Sequence, residues 1–215
     1  MPVPPDAKAY HIVHVDRLAS IIASNGLHCD SFVQGNGHPG TTIGMPGLKQ
    51  TRLHRPVDVF PGTTVGNYVP FYFCSRSVML YVIYMRNHPG LLYTGGQGPI
   101  VHLEVDLDRV LTWAEANGVN WAVSLGNATT TYTEFRHQRH ELNEIRWDLV
   151  HVRDFRDPAV KEAKQSELLI HQFFPWELIE RIGTHSDAIA HQAAQIIQWC
   201  GHRPTVQRMA DWYYG

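Results

Sequence analysis

The sequence predicts an α+β fold, on three observations. Short β-branched and aromatic runs recur along the chain, from Tyr10-His11-Ile12-Val13-His14-Val15 through Tyr68–Phe73 to Glu167–His171. Helical patterns sit mostly near its two ends. No strand–helix–strand alternation of the kind that builds a parallel sheet is present. The 215 residues suit a single domain over 1–215. A chain of this length buries a core without help from a disulfide or a metal. With 44% hydrophobic and 18% charged residues, the composition excludes a disordered, collagen-like or coiled-coil protein.

Each element follows in order. Tyr10–Val15 alternates as a strand. Asp16 is placed to cap a helix over 17–24, with Leu18, Ile21 and Ile22 on one face and Asn25-Gly26 at its end. Residues 30–67 read as a long loop with a short helix over 48–54, and a loop that long in a folded domain usually carries function. Tyr68–Phe73 is a buried type of strand, in which Pro70 implies an edge or a bulge. Ser77 caps a helix over 78–86. A strand covers 99–105, and Asp106-Leu107-Asp108 opens a helical turn around Val110. Another strand covers 120–125. Residues 126–147 form a second long loop with a helical middle over 133–142, and 148–152 reads as a short strand. Glu167–His171 is a strand, 175–178 a turn and 179–184 the last strand. Ser186 caps a helix over 187–199, and Pro204 starts a further one ending near Tyr214, so that 186–215 is a pair of C-terminal helices.

Charge and cysteines narrow the function classes. The net charge of −2 argues against a broadly basic nucleic-acid coat, though not against a local basic groove. Cys29, Cys74 and Cys200 are far apart and odd in number, as in a reduced intracellular protein. The proline-rich start (Pro2, Pro4, Pro5) has no apolar core of a signal peptide, and no apolar run reaches the roughly 18 residues of a membrane span. These features lead to an expectation of a cytoplasmic protein with no membrane contact and no metal. The common dinucleotide, phosphate-loop, zinc-protease and serine-hydrolase signatures are absent, and Gly95-Gly96-Gln97-Gly98 reads as a turn.

Four local features carry chemistry. His11 lies on the first strand, where a histidine flanked by apolar residues is commonly a hydrogen-bonded core residue. Arg52 lies in the first long loop, where an arginine alone reads as a solvated side chain. Tyr68–Phe73 with Met79-Leu80-Tyr81 is an aromatic stretch whose rim suits a flat ring. Gln165-Ser166-Glu167 heads a buried apolar strand, and a carboxylate there needs a partner if it is buried. Basic residues bunch between 136 and 164, including Arg136, Arg139 and Arg153. That charge gradient suits a single-strand groove as well as a solvated helical face.

The ordered set resembles the DarT-type DNA ADP-ribosyltransferases. Tyr10-His11-Ile12 with His14, Asp16 and Leu18, the unbroken Tyr-Val-Pro-Phe-Tyr-Phe over Tyr68–Phe73, and Glu167-Leu168-Leu169-Ile170 are the most specific blocks, within a match over about 9–183. The resemblance implies an ADP-ribosyltransferase (PARP-like) core of two small antiparallel sheets around an NAD cleft, with peripheral helices. It implies NAD+ as ADP-ribose donor, a base in single-stranded DNA as acceptor, toxin activity reversed by a macrodomain antitoxin, and a monomer. By the same resemblance Glu167 is the catalytic glutamate and Arg52 the arginine of the catalytic site. His11, Ile12, Val13, Leu18, Tyr72 and Met79 flank the donor, with 30–67 as the donor-site loop. Asn127, Ala128, Thr129 and Thr133 belong to the substrate loop over 126–147. The chain departs from the family at Ser124-Leu125, where Thr-Asp is common, and at Val13, where Thr is frequent. These departures bear on the base and its sequence context. The aromatic block favours thymidine over guanosine, and RNA or protein acceptors and an inactive NAD- or nucleic-acid-binding module are the alternatives.

The chemistry requires such residues. Breaking the nicotinamide–ribose bond builds positive charge on the ribose, which a carboxylate orients and stabilises. Arg52 can clamp the pyrophosphate or steady the acceptor base with its forked donors. Its guanidinium stays protonated, so Glu167 is the first candidate for taking the acceptor's proton and a coupled Arg52–base interaction the second.

Overall fold

Eight strands form one sheet in the order β10-β9-β4-β1-β3-β7-β5-β6 in the computed structural model, which describes residues 1–37 and 39–215. The strands are β1 (Lys8–His14), β3 (Tyr68–Tyr72), β4 (Ile100–Asp106), β5 (Trp121–Ser124), β6 (Phe135–Arg136), β7 (Glu167–His171), β9 (Arg181–Thr184) and β10 (Thr205–Arg208). All neighbours are antiparallel except β10 and β9. A separate ribbon pairs β2 (Gly26–His28) with β8 (Phe173–Pro175).

The sheet is nearly two sheets. β1 is in register with β4 from Lys8↔Asp106 to His14↔Ile100, and β3 with β7 from Tyr68↔His171 to Tyr72↔Glu167. Between them, β1 and β3 share the single pair Tyr10↔Tyr72. In place of the expected pair of antiparallel sheets there is one sheet of two four-stranded halves, antiparallel but for β9 and β10, that meet at one residue pair and splay apart. Pro70 explains the splay. It lies inside the sheet and not at its outer edge, but its carbonyl faces β1, and the proline ring removes the N–H that would extend the ladder on that side. The His11 Nδ1 takes the Pro70 carbonyl instead, at 2.7 Å.

Helices cover both faces. The larger core packs α1 (Leu18–Ala23), α5 (Leu107–Ala116) and α8 (Asp187–Ile197) against one face, through Leu18, Ile21, Val110, Leu111, Ala193 and Ile197. The other face takes α4 (Val78–Met85), through Leu80 and Ile83, together with the C-terminal aromatic residues. Ser77 and Ser186 cap α4 and α8 as their sequence positions imply, accepting from Leu80 N and Ile189 N.

Several local expectations fail for identifiable reasons. Asp16 does not cap α1; its carboxylate accepts from Thr41 N at 3.0 Å and Thr41 Oγ1 at 2.7 Å, and the His14 ring caps a preceding 3-10 turn. The long loop 30–67 contains α2 (Asp30–Asn36) as well as α3 (Pro46–His54). The helical middle of 126–147 is replaced by β6, whose Phe135 pairs with Ser124, and a 3-10 turn over Arg139–Glu144. Residues 147–150 are α6 (Trp147–Val150), not a strand, because Trp147 packs edge-on to Phe73 and donates Nε1 to Leu142 O. A further helix, α7 (Pro158–Ala163), precedes β7. The second C-terminal helix is β10 and a 3-10 turn: Thr205 and Val206 extend the exposed edge of β9, an option open only once that edge exists.

The C-terminal residues close the outer half-sheet. Tyr213 places its hydroxyl between the Ile100 and Gly183 carbonyls, at 2.8 and 3.0 Å. Trp212 packs directly against Gly183, where an added Cβ would stand 2.3 Å from Trp212 Cζ3. Gly183→Ala is therefore expected to lower stability by about 1–3 kcal/mol, read as a reduced urea midpoint at an unchanged slope.

Candidate active site

The seam between β1 and β3 widens into a cleft of about 460 Å³. Its floor is β1 (His11, Ile12, Val13) and β3 (Pro70, Tyr72), and its apolar wall is Val78, Met79 and Val82 of α4. Helix α3 brings Lys49 and Arg52 to the opposite side, and β7 begins at the cleft with Glu167.

Arg52 and Glu167 form a buried ion pair. Arg52 is 8% and Glu167 5% exposed. Arg52 Nη1 donates to both carboxylate oxygens, at 2.9 and 3.2 Å. Such a carboxylate cannot lie buried and charged without a partner, so each group requires the other. The register puts Glu167 there: it is the first residue of β7, opposite Tyr72, and its N–H donates to Ser124 Oγ on β5 at 3.0 Å. Ser124, one of the departures from the family, therefore anchors the backbone of the glutamate.

A second carboxylate completes the guanidinium's surroundings. Asp30, in the first turn of α2, stands 3.5 Å from Arg52 Nε and accepts from Lys49 Nζ at 2.9 Å. Burial alone would lower the Arg52 pKa; Glu167 and then Asp30 outweigh it and hold the group above its ordinary value. Arg52 Nε and Nη2 are buried with no hydrogen-bond partner among the described residues. Two orphaned donors on a buried cation facing a cleft fit the oxygen atoms of an anionic or hydroxylated ligand.

His11 and Tyr72 are set by burial. Burial drives the His11 imidazole from 6.5 down to about 4, against the opposing hydrogen bond to Pro70 O. That bond needs the proton on Nδ1, so the neutral ring keeps Nε2 as an acceptor suited to a ribose hydroxyl. Burial, then the nearby Glu167 charge, pushes the Tyr72 phenol up, so it stays protonated.

One turn, Asn127–Thr133, forms the cleft's other rim. Asn127 and Thr129 line the cleft. Asn127 Oδ1 accepts from Thr129 N and Oγ1, at 3.0 and 2.8 Å, and Asn127 Nδ2 donates to Gln165 Oε1 at 3.3 Å. Arg55 reaches across from the end of α3 and donates to Thr130 O and Thr133 O, at 3.0 and 2.9 Å.

The cleft thus gathers His11, Ile12, Val13, Arg52, Tyr72, Met79, Asn127, Thr129 and Glu167. Leu18 is not among its lining residues; it is fully buried in the larger core, on the inner face of α1. Ala128 is likewise fully buried, in the cluster with Phe135 and Leu169, and Thr133 is turned inward to bond Asn127 O at 2.7 Å. Arg136 is held by Glu144 and Glu134, at 2.8 and 2.7 Å. Arg139 is bound by Glu115 and Asp108 on the α5 side, away from the cleft. Of the three arginines expected to meet DNA, only Arg153 is exposed with no ion pair among the described residues. Gln165, from the stretch that heads β7, and Lys161, from the basic run, also line the site, and Asp30, Lys49 and Arg55 line or brace it without a place among the sequence candidates. The i, i+3 spacing of Lys49 and Arg52 on a helix already expected there was the available signal. Among the described residues no group of three or more His, Cys, Asp or Glu could hold a metal ion.

Comparison with known proteins gives a consistent result. The family described as ssDNA thymidine ADP-ribosyltransferase, DarT, matches residues 10–214. A DNA ADP-ribosyl transferase of Thermus sp. (strain 2.9) is 32% identical over 216 residues, covering 98% of this chain and 98% of its own. The structure of Thermus sp. 2.9 DarT in complex with ADP-ribosylated ssDNA superposes with a TM-score of 0.89 at 30% identity, covering 100% of this chain and 99% of that one. The same protein in complex with NAD+ gives a TM-score of 0.82 at 29% identity, over 99% of this chain and 100% of that one.

Two outcomes follow from this geometry. Arg52→Ala leaves Glu167 buried without its counter-charge and is expected to cost about 3–5 kcal/mol in urea unfolding, with Arg52→Ala/Glu167→Ala costing less than the sum of the two single changes. The second concerns pH. His102, fully buried, is also held down to about 4 by burial. Between about 4 and 6.5 the unfolded chain binds protons at His11 and His102 that the folded chain refuses, so this stability is complete above 6.5 and is lost as pH falls toward 4. Each group contributes a slope of up to about 1.4 kcal/mol per pH unit in that window. Water in the cleft softens the His11 share, so His102→Gln should flatten the unfolding-versus-pH curve more than His11→Gln.

Proposed function

The chain belongs to the DarT family of single-stranded DNA thymidine ADP-ribosyltransferases, and from that premise we propose that Glu167 and Arg52 carry the transfer of ADP-ribose from NAD+ to thymidine. The activity is NAD-dependent ADP-ribosylation of DNA. The observation that carries the residue assignment is the buried Arg52–Glu167 pair at the head of β7, open to the cleft.

The residues divide the work by their chemistry. When NAD+ is bound, it supplies the ribosyl group and the nicotinamide leaving group. Glu167 presents a carboxylate to the ribose hydroxyls and stabilises the positive charge that builds there. Tyr72 and the apolar side chains of Val78, Met79 and Val82 suit a flat ring and exclude water from it. The His11 Nε2 accepts from a ribose hydroxyl. The free donors of Arg52 hold an anionic or carbonyl oxygen of donor or acceptor. Since the guanidinium does not deprotonate, the acceptor's proton passes to Glu167. Asn127 and Thr129 face the acceptor from the braced turn. Residues 1–215 act as one ADP-ribosyltransferase domain.

The wider reading includes a monomer, a cytoplasmic location and a macrodomain antitoxin. The three cysteines are free, which suits a reducing compartment, and no helix among the described residues is long and apolar enough to cross a membrane.

The test is incubation with NAD+ and four single-stranded oligonucleotides, each lacking one base type, followed by mass spectrometry. An ADP-ribose adduct on every strand except the one without thymine is the expected outcome. Adducts that instead depend on guanine would replace the acceptor. Glu167→Gln should lower the transfer rate by about 10²–10³-fold or more while NAD+ still binds. Unchanged transfer in that variant would remove Glu167 from the chemistry.

A further inference from the structure

A strip of aromatic side chains continues outward from the cleft wall and has no role in the account above. Helix α4 turns Val78, Met79 and Val82 to the cleft and Tyr81 and Tyr84 to the neighbouring strip. Phe155 meets Tyr81 edge-on, with centroids 5.0 Å apart. Tyr214 backs both, at 5.1 Å from Tyr81 and 6.1 Å from Phe155. Phe155 lies on the segment that leads into α7 and the catalytic strand. Its ring is 6.0 Å from the ammonium of Lys164, three residues before Glu167. Tyr81 and Phe155 are each half-buried, so their rings are held by packing yet reach the surface.

The surrounding charges decide what such a strip fits. Arg136, Arg139, Arg146 and Arg156 each hold a carboxylate. A phosphate would have to displace that carboxylate. Arg153, two residues before Phe155, and Lys161, on the cleft, are exposed with no ion pair among the described residues. Of the exposed arginines and lysines between 136 and 164, the two without an ion pair among the described residues are therefore one close in sequence to Phe155 and one on the cleft itself. Surface-reaching rings and free cations beside a catalytic cleft match the stacking and backbone contacts of single-strand binding.

We propose that Tyr81 and Phe155, perpendicular to one another, form a cornered stacking platform for a nucleobase flanking the modified thymidine, which stacks on one ring and meets the other at its edge, with Arg153 on the adjoining phosphate. The inference rests on the function proposed above and extends it to how the strand's neighbouring base is held. Neither ring lines the cleft, so the platform acts on the DNA alone.

The experiment measures steady-state kinetics for Tyr81→Ala, Tyr81→Phe and Phe155→Leu on a thymidine-containing oligonucleotide, beside the same strand with an abasic site on either flank of the thymidine. Removing one ring should raise the oligonucleotide KM on the order of 10-fold and leave the NAD+ KM unchanged, which also shows that the variants fold. Tyr81→Phe keeps the ring and should stay near wild type. One abasic flank should weaken the wild type to a similar degree and add nothing further in Tyr81→Ala. An oligonucleotide KM within about twofold of wild type in both ring-removing variants overturns the platform and leaves the strip to another partner, such as a protein. Wild type assayed in parallel separates the two readings. No transfer by wild type overturns the function and the platform with it, whereas normal wild-type transfer with unaffected variants overturns the platform alone.

Discussion

The cleft exists because β1 and β3 cannot stay paired. They meet only at Tyr10↔Tyr72, and the next opportunity on the β3 side is Pro70, which has no N–H to offer. A continuous ladder there would close the sheet over the space between the two half-sheets. The Pro70 carbonyl still needs a donor, and His11 provides it at 2.7 Å. That bond fixes the tautomer of His11 and so determines which nitrogen faces a ligand. One residue that interrupts a sheet thereby creates the cleft and sets the chemistry of one of its walls.

The same arrangement places charge where water is scarce. Glu167 begins β7 opposite Tyr72, at the single point where the halves join, so its carboxylate is nearly enclosed. Arg52 neutralises it, and Asp30 and Lys49 extend the pair into an alternating row of four charges running from α2 and α3 to β7. A buried pair of this kind is weak evidence for stability, since desolvation consumes much of the attraction. Its retention is better explained by position. The guanidinium is pinned through Nη1, leaving Nε and Nη2 without a hydrogen bond among the described residues, and a ligand that supplies oxygen there relieves an existing deficit.

Much of this was legible in the sequence where side-chain patterning alone decides structure. Glu167–His171 reads as a strand because three apolar residues follow a carboxylate, and that oddity marks Glu167 as a candidate site residue before any fold is known. Ser77 and Ser186 are legible as caps because capping is local. The failures lie where a distant partner decides. Thr205–Arg208 becomes a strand only because β9 leaves an edge to pair with, and Trp147–Val150 becomes helical because Trp147 is drawn onto Phe73. Leu18 sits within a motif that otherwise reaches the cleft, but the turn after β1 rotates it into the core. Arg136 and Arg139 suggest a DNA track by spacing. The carboxylates that occupy them come from 108, 115, 134 and 144, and only the fold brings the first two close to Arg139.

That charge pairing bears on how an acidic protein engages a polyanion. With a net charge of −2, a broad electrostatic attraction for DNA is absent, and affinity must come from a few unneutralised cations and from stacking. The Asn127–Thr133 rim of the cleft is built to make few contacts count. Gln165 ties Asn127 to the approach of β7, and Arg55 holds the carbonyls of Thr130 and Thr133. A turn braced from both sides loses little entropy when a strand binds, so more of the intrinsic contact energy appears as affinity. Rigid presentation of the rim compensates for weak long-range attraction, and it favours recognition of a particular base over retention of any single strand.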